Sequence, residues 1–267
     1  MTPIHRNASV NVLDLMRLDG RMAVVTGGAG HLGLEISRCL LELGASVLVV
    51  GRDRRKAEAL ASEFGARVEF AEIDLNQPSA IEAIAERMPA TLDILVNNAL
   101  TWPKNPRFEE ADWDCVTETL VSGVTSPICI SRLAFERMKA NGRGVIINNA
   151  SMYGMVSPDF RIYRDSGMSN AIEYNAAKAA IIQITKYLAV KGAPHNIRVN
   201  AFSPGPFSPP GAFDGKEWFK DELVQMMPLG RTAEKWEIKG VIAFLAGDLS
   251  TYVTGQNIPV DGGWTSW

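Results

Sequence analysis

Short apolar runs alternate with amphipathic stretches of helical length along almost the whole chain. The runs are short and rich in β-branched residues, as buried strands are, whereas the longer stretches repeat apolar positions at helical spacing. Strands are predicted at 22–26, 46–50, 68–73, 92–97, 144–148, 198–202 and 257–260, and helices at 31–43, 53–64, 77–88, 110–140 and from Tyr174 to about residue 191. This alternation predicts an α/β fold, a parallel sheet covered by helices on both faces. No linker or repeat interrupts it, so we predict one domain over residues 1–267, with residues 1–19 as an N-terminal arm.

The composition narrows the classes of function. The 267 residues are 46% hydrophobic with a net charge of −3, which gives no basic surface for nucleic acid or an anionic membrane. No apolar run reaches the ~18–20 residues that span a bilayer, and residues 1–20 lack a signal-peptide pattern. Cys39, Cys115 and Cys129 have neither metal nor redox spacing, so no metal site is expected. We expect a soluble cytoplasmic protein with reduced thiols that acts on a small molecule.

Tyr174 and Lys178 form the first candidate for chemistry. Residues four apart on a helix emerge from the same face, which brings an ammonium close to a phenol. A free tyrosine titrates near ~10, and a neighbouring positive charge lowers that pKa. The pair is therefore typical of a tuned proton donor or acceptor. By itself the same spacing also fits an ordinary solvated helix face.

A glycine-rich turn, Thr26-Gly27-Gly28-Ala29-Gly30-His31-Leu32-Gly33, follows the first predicted strand and opens the first predicted helix. Glycines in this position permit a tight turn and the close approach of a pyrophosphate to the N–H groups at the helix start. The turn therefore predicts a dinucleotide cofactor.

The end of the second predicted strand bears on the choice of cofactor. NAD-binding folds usually place a carboxylate there for the ribose hydroxyls, but this chain has Gly51 followed by Arg52. A guanidinium suits the extra phosphate of NADP, which we predict, with NAD as the alternative. Asp53 is open to two interpretations, ribose ligand or N-cap of the next helix.

In sequence order these features resemble the short-chain dehydrogenase/reductase family over essentially the whole chain. The positions that match the family pattern are the 26–33 turn, Asp74-Leu75, Asn97-Asn98-Ala99, Ser151, Tyr174 with Lys178, Asn200, Pro204-Gly205 and Val260-Asp261-Gly262-Gly263. The resemblance implies a single-domain, Rossmann-type, doubly wound sheet, usually assembled as a homotetramer. It also implies hydride transfer between a nicotinamide cofactor and a carbonyl or secondary alcohol.

The resemblance assigns roles by position. Tyr174 would be the general acid/base, Lys178 would lower its pKa and hold the nicotinamide ribose, and Ser151 would hydrogen-bond the reacting oxygen. Asp74 would contact the adenine, although turn chemistry explains an aspartate there equally well. The implied cofactor-binding residues are Gly27, Gly30, His31, Leu32, Gly33, Arg52, Asp74, Leu75, Asn98, Ala99, Tyr174, Lys178, Pro204 and Gly205.

Two departures from the family pattern concern the glycine turn and the proton relay. His31 stands where the family has the middle glycine of its turn, and the spacing of Gly27, Gly30 and Gly33 is closer to that of larger relatives acting on nucleotide sugars. Leu120 stands where the family has an asparagine that holds a proton-relay water; Ser122 or Thr119 is a possible substitute. These departures keep two alternatives open, a dinucleotide-binding sensor with little turnover and a cofactor-retaining epimerase.

A third departure is a long stretch, 155–173, between Ser151 and Tyr174. Long loops in compact domains are often functional, so we expect it beside the substrate cleft, with a packing or oligomer-contact role as the alternative. Tyr153, Arg161 and Arg164 are candidate substrate residues, and the arginines predict a polar, anionic substrate such as a sugar acid. The resemblance implies that residues 203–228 form a substrate lid, with ordinary amphipathic packing as the alternative for its helical part. Trp264 and Trp267 would suit a subunit interface.

Overall fold

The computed structural model describes residues 10–209 and 211–267. Within these residues seven strands form one sheet: β1 (Met22–Thr26), β2 (Ser46–Gly51), β3 (Val68–Glu72), β4 (Ile94–Asn97), β5 (Gly144–Asn149), β6 (Ile197–Pro204) and β7 (Asn257–Val260). Their order is β3-β2-β1-β4-β5-β6-β7, and every neighbouring pair is parallel. The chain thus winds outward from β1 in one direction and then outward from β4 in the other, which confirms the predicted doubly wound fold.

Nine α-helices in the described part of the chain connect and cover the strands: α1 (Val12–Met16), α2 (His31–Glu42), α3 (Arg54–Phe64), α4 (Ala80–Arg87), α5 (Trp113–Leu120), α6 (Ser126–Asn141), α7 (Ile172–Gly192), α8 (Glu217–Gln225) and α9 (Lys239–Ala246). None of them is both long and apolar enough to cross a membrane.

Alternating side chains of the strands fill two apolar layers, one on each face of the sheet. In β1, Val25 joins the layer that contains Ile36 of α2, while its neighbour Val24 joins the layer that contains Ile84 of α4 and Ile130 of α6. Both faces of the sheet are therefore buried, which explains the nearly continuous hydrophobic runs in the sequence.

The predicted helix at 110–140 is interrupted. A π-helical turn, Val121–Thr125, separates α5 from α6. The Ser122 hydroxyl donates to the backbone carbonyl of Glu118 at 3.0 Å, and Pro127 lies in the first turn of α6, where it has no N–H to donate. Wide turns of this kind are frequent at functional sites, and this one faces the cleft described below.

The N-terminal arm is integrated into the fold as far as the structure describes it. Residues 1–9 of the predicted arm lie outside the described residues. Further on, α1 packs beside α9, and Leu18 is completely buried in the core. Residues 10–19 therefore form part of the folded domain rather than a free extension.

Candidate active site

The carboxyl ends of β1, β4, β5 and β6 open onto a cleft of about 1070 Å³. Ligands of doubly wound sheets bind at this edge, beside the point where the strand order reverses. The predicted cofactor residues that line the cleft are Gly27, Gly30, His31, Leu32, Arg52, Asp74, Leu75, Asn98, Ala99, Tyr174, Lys178, Pro204 and Gly205. The structure therefore gathers residues that are up to about 180 positions apart in the sequence, with Gly33 lying directly beneath the turn.

The glycine turn is shaped by close backbone contacts. Gly27 has a φ of +63°, and a Cβ on Gly33 would lie 1.9 Å from the carbonyl oxygen of Gly27. Gly30, the N-cap of α2, has no side chain to bond the first N–H groups of the helix. Those N–H groups have no intrahelical partner, which is the arrangement that binds a phosphate. The turn thus fits the pyrophosphate of a dinucleotide.

We predict that Gly33→Ala weakens cofactor binding at least about tenfold and lowers the free energy of unfolding by ~1–3 kcal/mol, since the added methyl must displace the turn. Fluorescence titration with NADPH and urea unfolding measure the two effects. Gly240→Ala in α9 is the control, because a Cβ there has no atom within 4 Å. Unchanged NADPH affinity in Gly33→Ala would show that this turn does not hold the cofactor.

Most charged side chains that line the cleft lie at one end of it, beside the ends of β2 and β3. The prediction puts the adenosine of the cofactor there, and we call it the adenosine end. Arg52 lies 3.7 Å from the carboxylate of Asp74, and its side chain is 67% exposed. Asp53 is the N-cap of α3 and accepts from the backbone N–H of Lys56 at 3.1 Å, as one of the two interpretations had it. Asp74 also accepts from the N–H of Asn76 at 3.1 Å, so it combines turn formation with a place in the cleft wall. Sequence reasoning missed Lys56, which lines the same end of the cleft one turn along α3.

Asn98 ties the glycine turn to the centre of the cleft. Its side-chain amide donates to the carbonyl oxygens of Thr26 at 3.1 Å and Gly27 at 3.2 Å. Its own oxygen accepts from the amide of Asn149 at 2.8 Å. Asn149 was not predicted, and its position two residues before Ser151 is the signal that could have revealed it. Together the two amides hold the glycine turn against β5, the strand that leads to Ser151.

Ser151, Tyr174 and Lys178 meet at the end of β5. The Lys178 ammonium donates to the backbone carbonyl of Asn149 at 2.7 Å and lies 5.7 Å from the centre of the Tyr174 ring. Ser151 is 3% exposed, and its hydroxyl acts on the Tyr174 phenol by lowering the pKa of that group. Gly154 lets this segment pack directly on α7, because a Cβ there would lie 2.7 Å from the Lys178 backbone.

The ionisation of the pair differs from the sequence-based expectation. Burial raises the pKa of Tyr174, and its hydrogen bond with Ser151 opposes that rise. Burial also lowers the pKa of Lys178 from 10.5 to about 7. Removal from water disfavours both the phenolate and the ammonium. The phenol is therefore held as a proton donor at neutral pH.

Comparison with known proteins fits this geometry. The family model described as enoyl-(acyl carrier protein) reductase matches residues 27–265. A cis-4-hydroxycyclohexanecarboxylate dehydrogenase of Sinomonas cyclohexanicum is 34% identical, over 92% of this chain and 97% of that protein. A galactitol 2-dehydrogenase (L-tagatose-forming) of Cereibacter sphaeroides is also 34% identical, over 95% of this chain and 98% of that protein.

The solved structures agree. The crystal structure of a gluconate 5-dehydrogenase from Burkholderia cenocepacia J2315, in complex with NADP and tartrate, superposes with a TM-score of 0.83 at 29% identity. The match covers 96% of this chain and 100% of that one. The chain belongs to the short-chain dehydrogenase/reductase family. It is an enzyme of the dehydrogenase/reductase type.

One departure from the family pattern lies at the π-helical turn. Leu120, at the family's asparagine position, is the last residue of α5, whereas Ser122 lines the cleft. The Ser122 hydroxyl accepts from the N–H of Thr101 at 2.9 Å, in addition to its bond to α5. Of the two substitutes considered from the sequence, the structure therefore brings Ser122 to the cleft wall.

His31 is the other departure from the family pattern, and it lines the cleft beside the glycine turn. Its Nε2 lies 2.7 Å from the backbone carbonyl oxygen of Phe207, in the segment after β6. A glycine at this position has no side chain to make that contact. The histidine in this chain therefore links the start of α2 to the loop that follows β6.

The predicted substrate residues separate into two groups. Tyr153 lines the cleft, but Arg161 and Arg164 do not. Arg161 is bonded to Asp159 at 2.6 Å with its side chain 90% exposed. Arg164 pairs with Glu222 of α8. The two arginines that were predicted to bind an anionic substrate therefore do not face the cleft, because both guanidinium groups pair with carboxylates outside it.

The insertion 155–173 and α8 form one wall of the cleft. The ring of Tyr163 stacks on that of Phe219 with centroids 5.4 Å apart, and the guanidinium of Arg164 lies 5.1 Å from the centre of the Trp218 ring. Trp264, expected at a subunit interface, is instead 6% exposed and meets Tyr153 edge-on. Its ring is buried because the chain after β7 folds back beneath this wall.

Proposed function

We propose that this protein interconverts a ketone and a secondary alcohol with a nicotinamide cofactor, preferentially NADP. The observation that carries the proposal is the meeting of Ser151, Tyr174 and Lys178 at the end of β5, in the same cleft as a glycine turn with free helix N–H groups. When bound, the nicotinamide supplies or accepts the hydride.

The three side chains have distinct tasks in reduction. As the carbonyl carbon gains the hydride, the electron pair of the C=O π bond moves to oxygen, and negative charge develops there. Tyr174 gives its phenolic proton to that oxygen, while the Ser151 hydroxyl donates a hydrogen bond to it. The Lys178 ammonium stabilises the phenolate that Tyr174 leaves behind. Oxidation of the alcohol runs through the same groups in reverse.

The preference for NADP is supported by Arg52 and Lys56, which line the adenosine end of the cleft. The gluconate 5-dehydrogenase of similar fold binds NADP. We expect Arg52→Ala to raise the Kd for NADPH roughly tenfold or more, because a charge-assisted bond to the 2′-phosphate is lost. The Kd for NADH stays unchanged. Arg55→Ala is the matched control, since Arg55 lies three residues further on, in the first turn of α3, but does not line the cleft.

The proposal is tested by following nicotinamide absorbance with NADPH or NADH and a panel of cyclic, sugar-derived and open-chain ketones. Cofactor oxidation that requires a ketone supports it. Tight cofactor binding with no turnover in either direction would overturn it. The same NADPH affinity in Arg52→Ala and Arg55→Ala would remove the NADP preference alone.

We also propose a cytoplasmic homo-oligomer, with α6 and α7 at the contact. Exposed apolar side chains on these helices support it: Ile128 at 47%, Ile172 at 51%, Tyr187 at 66% and Val190 at 78% exposure. The three unpaired cysteines fit a reducing compartment. Light scattering of the purified protein distinguishes a monomer from a dimer or tetramer.

A further inference from the structure

Beyond Ser151 and Tyr174 the cleft continues into a space with aromatic and apolar walls. We call it the substrate chamber and define it by Trp102, Tyr153, Tyr163, Met168, Phe219 and Leu223, all of which line the cleft. These residues come from four separate segments, namely the loop after β4, the turn after β5, the insertion 155–173 and α8. The chamber is therefore a product of the tertiary fold.

Trp102 stands beside the proton donor. Its ring centroid lies 4.9 Å from that of Tyr174, tilted by 51°. Although it lines the cleft, Trp102 is 65% exposed. Much of its indole surface is thus available to pack against a molecule whose reacting carbon is at Tyr174. Sequence reasoning did not single out this residue.

A second part of the chamber wall, formed by the insertion 155–173 and α8, is held together by its own contacts. The Tyr163 and Phe219 rings are nearly parallel, at 26°, and the Tyr153 ring meets the buried Trp264 ring edge-on. Arg164 and Glu222 join the insertion to α8 outside the chamber. The aromatic faces are thereby held in place before a substrate arrives, which reduces the entropy lost on binding.

Charge is segregated along the cleft. Among the described lining residues, the charged side chains at the adenosine end are Arg52, Asp53, Lys56 and Asp74. The remaining one, Lys178, is buried and bonded to the carbonyl of Asn149. A carboxylate or phosphate in the chamber would lose its hydration without gaining a cationic partner, which is costly.

We propose that the substrate is an uncharged alicyclic ketone or alcohol whose ring packs between Trp102 and Phe219. A saturated ring offers two apolar faces to the aromatic walls, and a neutral molecule leaves no charge unpaired. The proposal rests on the function proposed above and specifies the chemical class that this site accepts.

The test compares two cyclohexanones that differ in charge, 4-methylcyclohexanone and 4-oxocyclohexanecarboxylate. With saturating NADPH, we expect kcat/KM for the neutral ketone to be at least about tenfold higher. Calorimetric titration of cyclohexanecarboxamide and cyclohexanecarboxylate into the NADP-saturated enzyme measures the same preference without turnover. Equal or better use of the anionic ketone, equal or tighter binding of the carboxylate, or binding of neither ring would overturn the inference.

The two proposals fail in different ways. If the neutral ring binds more tightly but no ketone is reduced, the chamber is supported and the proposed reaction fails. If both ketones are reduced and the anionic one is preferred, the reaction stands and the chamber assignment fails.

Substitutions locate the binding surface. Trp102→Ala and Phe219→Leu are each expected to raise KM for 4-methylcyclohexanone several-fold or more, with a smaller effect on kcat. Trp236→Ala is the matched control, because Trp236 is 63% exposed but does not line the cleft. Trp102 is largely exposed, so its replacement leaves the core intact. An unchanged KM in both chamber variants would contradict the proposed packing.

Discussion

Replacing Tyr174 with phenylalanine is expected to lower kcat by about 10²–10⁴-fold, the usual contribution of a positioned proton donor. Phenylalanine keeps the ring that packs against Trp102 but removes the phenolic proton. The substitution leaves the glycine turn and the other predicted cofactor residues in place, so the Kd for NADPH should stay within about threefold of the wild-type value. Steady-state kinetics with the best ketone, together with fluorescence titration of NADPH, measure both quantities.

The control for this prediction is Tyr252→Phe. Tyr252 is fully exposed and does not line the cleft, so kcat should be unchanged. If Tyr174→Phe kept more than a tenth of the wild-type kcat, the proton would have to come from another group.

Lys178→Met is expected to lower kcat about 10²-fold, because the developing phenolate loses its electrostatic partner. In the wild-type enzyme the pKa of Lys178 is lowered to about 7 by burial. Ketone reduction should therefore decline as the pH rises through 7 and the ammonium loses its proton. The methionine variant should lack this inflection. A pH profile of kcat for both proteins, with Lys186→Met on the exposed side of α7 as control, measures the effect.

The same group makes stability depend on pH. Because folding lowers the pKa of Lys178 from its ordinary value of 10.5 to about 7, the unfolded chain binds more protons between those values. Its contribution to wild-type stability therefore rises with pH across that window and is least favourable below pH 7. The Tm of Lys178→Met minus that of the wild type should be larger at pH 6 than at pH 10. A difference that does not vary with pH would show that Lys178 titrates normally in the folded protein.

The sequence carried most of the fold because its signals are local. Seven apolar runs of the sequence correspond to the seven strands of the sheet within the described residues. Gly65 is the C-cap of α3 and has a φ of +64°, a conformation that favours glycine, so the end of this helix is marked in the sequence. The interruption of the predicted helix at 110–140 was not predicted. It involves the hydrogen bond of the Ser122 hydroxyl and the close packing of Gly123 against Leu100 and Ala177, and these contacts leave no local pattern in the sequence.

The sequence did not predict the pKa values of the buried groups or the partners of the charged side chains. The i, i+4 spacing placed Tyr174 beside Lys178 but carried no information on burial, which determines the pKa of both. Arg161 and Arg164 lie in the segment between two cleft residues, as the sequence indicated, but each meets an acidic partner outside the cleft.

By itself, then, the sequence determined the order of strands and helices and the glycine turn, and it indicated Tyr174 as the candidate proton donor, because each depends on residues close together in the chain. Only the tertiary structure decided the lining of the substrate chamber. Trp102, Tyr163 and Phe219 are separated by about 60 residues at each step, and their side chains line one cleft because parallel strands end at one edge of the sheet. The chemistry of the reaction was therefore readable along the chain, whereas the selection of its substrate depends on contacts that form only on folding.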